Sequence, residues 1–459
     1  MKYSYLFYSL FLLGSLTVFS LLGGGCAQIG MPSGGAKDTL APKIIRANPA
    51  DQSRNVKTNK ITLEFNEYID VQDLQQNLLV SPLQTKNPSI IIDPRSITIK
   101  FRDSLLPNTT YTINFGDAVR DINENNIYKG LTYTFSTGSH LDSLTFSGKV
   151  VLAETGLSDS TMLVMLYRNT ADSAVQKKRP DYIARVGSDG SFTFKNLPPT
   201  PFKVYALKDG DGGKTYNSLS ETFAFTENTI LPGQINDITL YAYIQEKAAD
   251  TKPAIKAAPD KRLRLSPESA LQDLLDPLVL NFNNPLAFAD SNKIIVTDTF
   301  YKKYPGTKFT LDSTAKKIKL FAKWQPGEPF FVIVPKDAVK DSAGITLTKN
   351  DTLRFSAKRT DDYGRLILRF TNLDLKAKPV LQIFSNNILK YSYPLTGPEW
   401  SSNMFLPGDY AIRILYDTDG NGVWSPGNYS KKIQPEIAVT LPQILSVKAD
   451  WDNEREISL

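Results

Sequence analysis

The chain has 459 residues, with 41% hydrophobic and 11% aromatic content, enough for several β-rich domains rather than one. It carries 53 Lys+Arg against 47 Asp+Glu, a formal net charge of +6, interspersed and without a dense basic run, which speaks against a nucleic-acid surface. One cysteine and one histidine exclude an internal disulfide and a structural zinc cluster, and leave a Cys–His nucleophile pair only through Cys26.

The first element is the segment 1–25. Lys2 supplies a positive start, and "YLFYSLFLLGSLTVFSLL" is an apolar core followed by Gly23, Gly24 and Gly25 before Cys26. That order predicts a secretory signal peptide. An uncleaved transmembrane anchor is the competing reading, since about 20 apolar residues span a bilayer. The segment "LLGGGCAQIG" resembles a bacterial lipoprotein signal with its lipobox, departing from it at Gly23, where leucine is preferred. The resemblance implies lipid on Cys26, with two or more acyl chains giving stable membrane attachment. Residues 26–40 are then a flexible tether.

From residue 41 the pattern alternates with period two. "ITLEFNEYI" (61–69), "SITIKF" (96–101), "TTYTINFGDAVRD" (109–121) and "LTYTFSTG" (131–138) read as strands of a sandwich, A, over 41–138. His140 lies in a Ser/Gly-rich junction and reads as an exposed linker residue. A second sandwich, B, is expected over 139–245, with "SDGSFTFKNLPPTPFKVYALKDGDG" (188–212) as its core pattern. The Ala/Lys/Pro-rich stretch 246–260 reads as a linker, exposed and mobile.

The second half repeats the first. "LVLNFNNPL" (278–286) aligns with "ITLEFNEYI", pairing Leu278 with Ile61, Leu280 with Leu63, Phe282 with Phe65 and Asn283 with Asn66. "FFVIVPKDAVKD" (330–341) aligns with 110–121, placing Phe331 at Tyr111, and "NMFLPGDYAIRILYDTDGNG" (403–422) matches 188–212. The prediction is an all-β chain of tandem sandwiches in a duplicated A-B-A′-B′ order, with A′ at 261–358 and B′ at 359–459.

The sharpest local signal is "DTDGNG". Asp417, Asp419 and Asn421 with Gly422 make the start of a calcium loop, but position 12 is Asn428, so no EF-hand is formed. The first copy keeps Asp209 and Asp211 and has Gly213 in the third place. The plainer reading is an Asp/Gly hairpin whose side chains bond their own backbone; a bound calcium would stiffen the loop. Trp424, Tyr429 and Tyr216 follow these loops, either as exposed anchors for a partner or sugar or folded back on the sandwich edge. "STAK" (313–316) matches the S-x-x-K pattern of serine acyl-enzymes, but lies in a hairpin with no companion motif and reads as a chance match.

The carriers "ANPAD" (47–51), "ITLEFNE", "LLPNTTYTINF", "DAVRD" and "YTFST" resemble bacterial Ig-like domains of the surface-layer-protein type. "DGSFTFKNLPP" and "LPGDYAIRIL" resemble transthyretin-like, carboxypeptidase-regulatory sandwiches. The whole resembles an Ig-like envelope lipoprotein of the Bacteroidota. That resemblance implies no catalysis and no required cofactor. It points to a membrane-anchored interaction or scaffold subunit, with an outer-membrane assembly or export complex as candidate partner and the face of the outer membrane left open. The alternative is an adhesin or glycan-binding module with a calcium-stiffened loop.

Overall fold

The computed structural model describes residue 12 and residues 37–234, 237–246 and 261–459. The expected signal peptide apart from residue 12, Cys26, the expected tether up to residue 36 and residues 247–260 of the expected linker lie outside the described residues. Among the described residues no helix is long and apolar enough to cross a membrane. The chain divides into two compact units, Met1–Leu141 and Asp142–Leu459.

The first unit is an all-β sandwich. One sheet runs Ile44–Asn48, Lys60–Phe65, Ser96–Lys100, Ser89–Asp93; the other runs Leu79–Ser81, Thr110–Gly116, Leu131–Ser136. Ile69–Val71 pairs with Val119–Asp121 as a separate ribbon. The period-two alternation puts Ile61, Leu63, Phe65, Ile97, Ile99, Ile113 and Phe115 inside, each at most 1% exposed. Tyr111 stacks on Phe135 with ring centroids 5.1 Å apart. Burying each such side chain contributes roughly 1.5–3 kcal/mol.

Residues 261–358 repeat this plan. The sheet Leu265–Pro267, Leu278–Phe282, Lys317–Phe321, Lys308–Leu311 has the same order, and Ile295–Asp298, Pro329–Val334, Asp351–Ala357 forms the facing sheet. A short strand, Leu271–Gln272, adds to it in parallel. The pairing of Asn66 with Asn283 carries a common role. Asn66 Oδ1 accepts from Lys43 N–H at 2.6 Å and Asn283 Oδ1 from Arg264 N–H at 2.7 Å, each tying the first strand to the second.

The alignment of Phe331 with Tyr111 is corrected. Phe330 is fully buried, lies opposite Phe355 as Tyr111 lies opposite Phe135, and stacks on it at 5.4 Å. Phe331 is half-buried, its ring against Tyr301 at 5.6 Å. A β-bulge between Asn114 and Gly116 shifts the first copy's register just before the "DAVRD" turn, so carrying the match back from that turn is wrong by one residue. A one-residue slip sends a side chain to the opposite face.

The last aspartate of each turn is a buried carboxylate in both copies. Asp121, 2% exposed, accepts N–H bonds from Glu124 at 2.6 Å and from Asn125 and Asn126 at 2.9 Å. Asp341, also 2% exposed, accepts from Ala343 N–H at 2.9 Å, Ile345 N–H at 2.8 Å and Asn284 Nδ2 at 2.9 Å. Burial pushes both carboxyls up, and these donors outweigh it, holding both below the ordinary range.

Residues 142–246 and 363–459 share a second plan. In the earlier one, Leu144–Leu152 is central to a three-stranded sheet, between Ser191–Leu197 and the parallel strand Ile238–Ala242. Its facing sheet runs Tyr182–Arg185, Leu163–Tyr167, Lys203–Leu207, Phe223–Phe225. In the later one, Gly364–Thr371 lies between Glu399–Phe405 and the parallel Asp452–Ser458, facing Ile388–Pro394, Pro379–Ser385, Gly408–Tyr416, Ile437–Thr440. The order of pairing is the same in both. The chain is therefore all-β, built of tandem sandwiches of two alternating kinds.

Candidate functional site at residues 417–436

The site grows from the end of the Gly408–Tyr416 strand, where "DTDGNG" must turn the chain back toward the edge strand Ile437–Thr440. Asp417, 4% exposed, closes the turn: its Oδ1 accepts from Gly420 N–H at 2.8 Å and Asn421 N–H at 3.1 Å, its Oδ2 from Gly422 N–H at 2.8 Å. Asp419 Oδ1 accepts from Asn421 N–H at 3.0 Å, and its Oδ2 from Asn421 Nδ2 at 2.9 Å and Ser425 Oγ at 2.7 Å. The Ser425 hydroxyl, ahead of a small opposing effect of burial, holds the Asp419 carboxyl below its ordinary range.

A third carboxylate enters from Glu436, 6% exposed. Its Oε1 accepts from Thr418 Oγ1 at 3.0 Å and Asp419 N–H at 3.2 Å, its Oε2 from Ser425 N–H at 3.0 Å. One oxygen each of Asp417, Asp419 and Glu436 lies within 4.8 Å of the others. These three, with the lone pairs left over from six hydrogen-bonded oxygens, form the donor set that could hold a hard divalent cation. Asn421, expected as the third ligand, instead turns its Oδ1 to Val423 N–H at 2.7 Å and its Nδ2 to Asp419 and Ser425. Glu436 lies 17 residues beyond Asp419 and carries no motif of its own; its only signal is a carboxylate directly before the apolar strand "IAVT".

The first copy is simpler. Asp209 Oδ1 accepts from Lys214 N–H at 3.1 Å, and its carboxylate pairs with Lys214 Nζ at 3.7 Å. Asp211 accepts from Gly213 N–H at 2.8 Å and Asn217 Nδ2 at 2.7 Å. Among the described residues no third carboxylate joins them in a cation-holding cluster.

Of the two positions the sequence left open for the loop aromatics, exposed or folded back, the structure shows the inward one. Trp424 is half-buried against Val380, Leu415 and Ala438 and donates Nε1–H to Glu436 O at 2.7 Å. Tyr216 is 3% exposed and stacks on Phe223 at 4.0 Å. Tyr429 is 4% exposed and lies not on its own sandwich but in an aromatic nest on the earlier one. Its ring is 5.1 Å from Phe225, 5.2 Å from Phe223 and 5.9 Å from Tyr205. Its hydroxyl donates to Asp172 O at 2.8 Å and therefore accepts from the Tyr205 hydroxyl at 3.0 Å. Lys432 caps the face of the ring at 4.0 Å and pairs with Asp172 at 2.7 Å.

This contact is one end of a seam that the sequence did not announce. Ala438 N–H donates to Ala153 O at 2.8 Å and Thr440 N–H to Thr155 O at 3.1 Å, so residues 153–155 cover the free edge of Ile437–Thr440. Arg413 Nη1 donates to Glu154 O at 2.9 Å, and Gln434 Nε2 to Phe225 O at 3.1 Å. Gly156, at φ +72°, brings the seam to contact: a Cβ there would stand 2.8 Å from Ala438 O. The two sandwiches of residues 142–246 and 363–459 are docked edge to edge, across the intervening sandwich in sequence.

Comparison with known proteins fits the first sandwich. Residues 38–137 match the bacterial Ig-like domain family. No curated protein sequence matches the chain. Among solved structures, the chain is similar to native alpha-2-macroglobulin from Escherichia coli spanning domains MG0-NIE-MG1 at 18% identity, covering 39% of this chain and 72% of that one with a TM-score of 0.20. It is similar to the N-terminal part of the bacterial S-layer protein SbsC at 12% identity, covering 44% of each chain with a TM-score of 0.17. The Bacillus anthracis TIE protein is 10% identical over 93% of this chain and 76% of its own, again with a TM-score of 0.17.

Proposed function

We propose that the protein is a non-catalytic, lipid-anchored envelope protein serving as an interaction or scaffold subunit at the outer membrane, an assembly or export complex being the candidate partner. The observation that carries this reading is the seam. The loop aromatic Tyr429 is spent on joining two sandwiches, and Trp424 and Tyr216 are packed inward rather than offered to a ligand. An Ig-like match beginning at residue 38, close behind Cys26, suits a body held near a membrane by acyl chains on that cysteine. The test is a pull-down from mild detergent through a tag at Leu459, with mass spectrometry of what co-purifies. A stoichiometric envelope complex is the expected result; recovery of the protein alone, in quantity, sinks the reading.

The second reading, an adhesin or glycan-binding module, is favoured by the convergence of Asp417, Asp419 and Glu436. It predicts that calcium raises the melting midpoint of the wild-type chain over chelator and leaves Glu436→Gln unmoved. Equal midpoints in the wild type would leave the loop a hydrogen-bonded hairpin.

A further inference from the structure

The strand Ser89–Asp93, "SIIID", ends the first sheet of the Met1–Leu141 unit, and among the described residues nothing pairs with its outer side. Its backbone register is fixed by its neighbours. Phe101 N–H donates to Asn59 O and Phe65 N–H to Arg95 O, so the odd-numbered residues along Ser96–Lys100 bond to Lys60–Phe65. The even-numbered ones, Ser96, Thr98 and Lys100, bond to Asp93, Ile91 and Ser89. The N–H and C=O groups of Ile90 and Ile92 are left facing the free edge. Ile91 is 52% exposed and Ile92 45%.

Other edges of this chain are guarded. The equivalent strand in residues 261–358 is "KFTL", Lys308–Leu311, with Lys308 in the place of Ser89 and Thr310 in the place of Ile91. Ile388–Pro394 carries Lys390 and Pro394, Asp452–Ser458 is charged along its length, and Ile437–Thr440 is covered by residues 153–155. Charge, proline and covering segments are the ordinary ways of blocking edge pairing. Within Ser89–Asp93 there is no lysine, no proline and no register shift, its one charge is Asp93 at the end, and among the described residues nothing covers it.

We infer that this edge binds the same edge of a second copy of the chain, antiparallel about a two-fold axis through Ile91. The sequence is self-complementary in that register. Ile90 stands opposite the partner's Ile92, and their outward N–H and C=O groups exchange hydrogen bonds. Ser89 stands opposite Asp93, hydroxyl to carboxylate, and no like charges meet. Ile91 meets its own copy in the closer, non-hydrogen-bonded type of pair. The result is one continuous sheet through two Ig-like sandwiches. Five residues per chain bury less than the roughly 1,200 Å² of a stable interface, so the pairing is weak in dilute solution and its test must trap it.

The non-hydrogen-bonded position at the axis suits a disulfide, since facing Cα atoms there are about 4.5 Å apart. The experiment is oxidation of the concentrated full chain carrying Ile91→Cys, against a control carrying Ile45→Cys. Ile45 is 67% exposed, so the control cysteine is the more accessible and faces the same Cys26 background. The expected result is at least a tenfold excess of covalent dimer for Ile91→Cys, abolished by adding Ile92→Lys in a chain whose melting curve is unchanged. A dimer yield no greater than the control's overturns the inference. So does cross-linking of Ile91→Cys to a protein of different mass, which would make the edge a site for a foreign strand.

Discussion

Tyr429→Ala is expected to destabilise the Asp142–Leu459 unit by about 3–5 kcal/mol, the cost of emptying a buried aromatic site. The ring fills a nest made by Tyr205, Tyr216, Phe223 and Phe225. Its removal strands the Tyr205 hydroxyl and the Asp172 carbonyl together, and Lys432 loses the face it caps. Tyr429→Phe keeps the packing and loses only the hydroxyl, which costs about 1–2 kcal/mol. Denaturant unfolding of the full chain measures both. Equal, small effects would mean that the nest is not a stabilising contact. Because the residue belongs to the last sandwich and the nest to the earlier one, the Ala variant is also expected to loosen the edge pairing at 153–155.

Gly156→Ala attacks the same seam from the other side. At φ +72° any side chain is strained, by about 1–2 kcal/mol for an L-residue in the left-handed region. Here the added Cβ also stands 2.8 Å from the Ala438 carbonyl oxygen and 3.4 Å from the Val439 Cα, both backbone atoms that cannot swing aside. Gly212→Ala is the matched control, with φ +78° and nothing within 4 Å of the new Cβ. The expectation is a destabilisation by Gly156→Ala clearly exceeding that of Gly212→Ala, with faster proteolysis around residues 153–156. Matching values would reduce Gly156 to an ordinary turn residue.

Much of the fold was legible because period-two alternation reports burial directly. Ile61, Leu63 and Phe65 and their counterparts Leu278, Leu280 and Phe282 are all buried where the pattern placed them. Asn66 and Asn283, matched only by alignment, make the same bond. The pattern failed at Phe331, since a bulge in one copy is invisible to a template of fixed spacing and two adjacent phenylalanines fit either register. The site was half legible. Asp417 and Asp419 were found by local spacing, whereas Glu436 arrives from the far side of the loop and only folding brings it near. Tyr429 was seen as a loop aromatic that could fold back, but not as one buried on another sandwich. Its partners Tyr205, Phe223 and Phe225 are more than 200 positions away, and nothing local to "VWSPGNY" tells which surface will cover it.

The docking of the sandwiches of residues 142–246 and 363–459 into one body rests on the seam between them. It is tested most directly by inserting a protease site within residues 247–260, cleaving the purified chain there and passing it through gel filtration under native conditions. The seam predicts that the two pieces travel together, and that Tyr429→Ala or Gly156→Ala lets them part. Clean separation of the pieces with the seam residues unaltered would contradict the docking and the scaffold built on it.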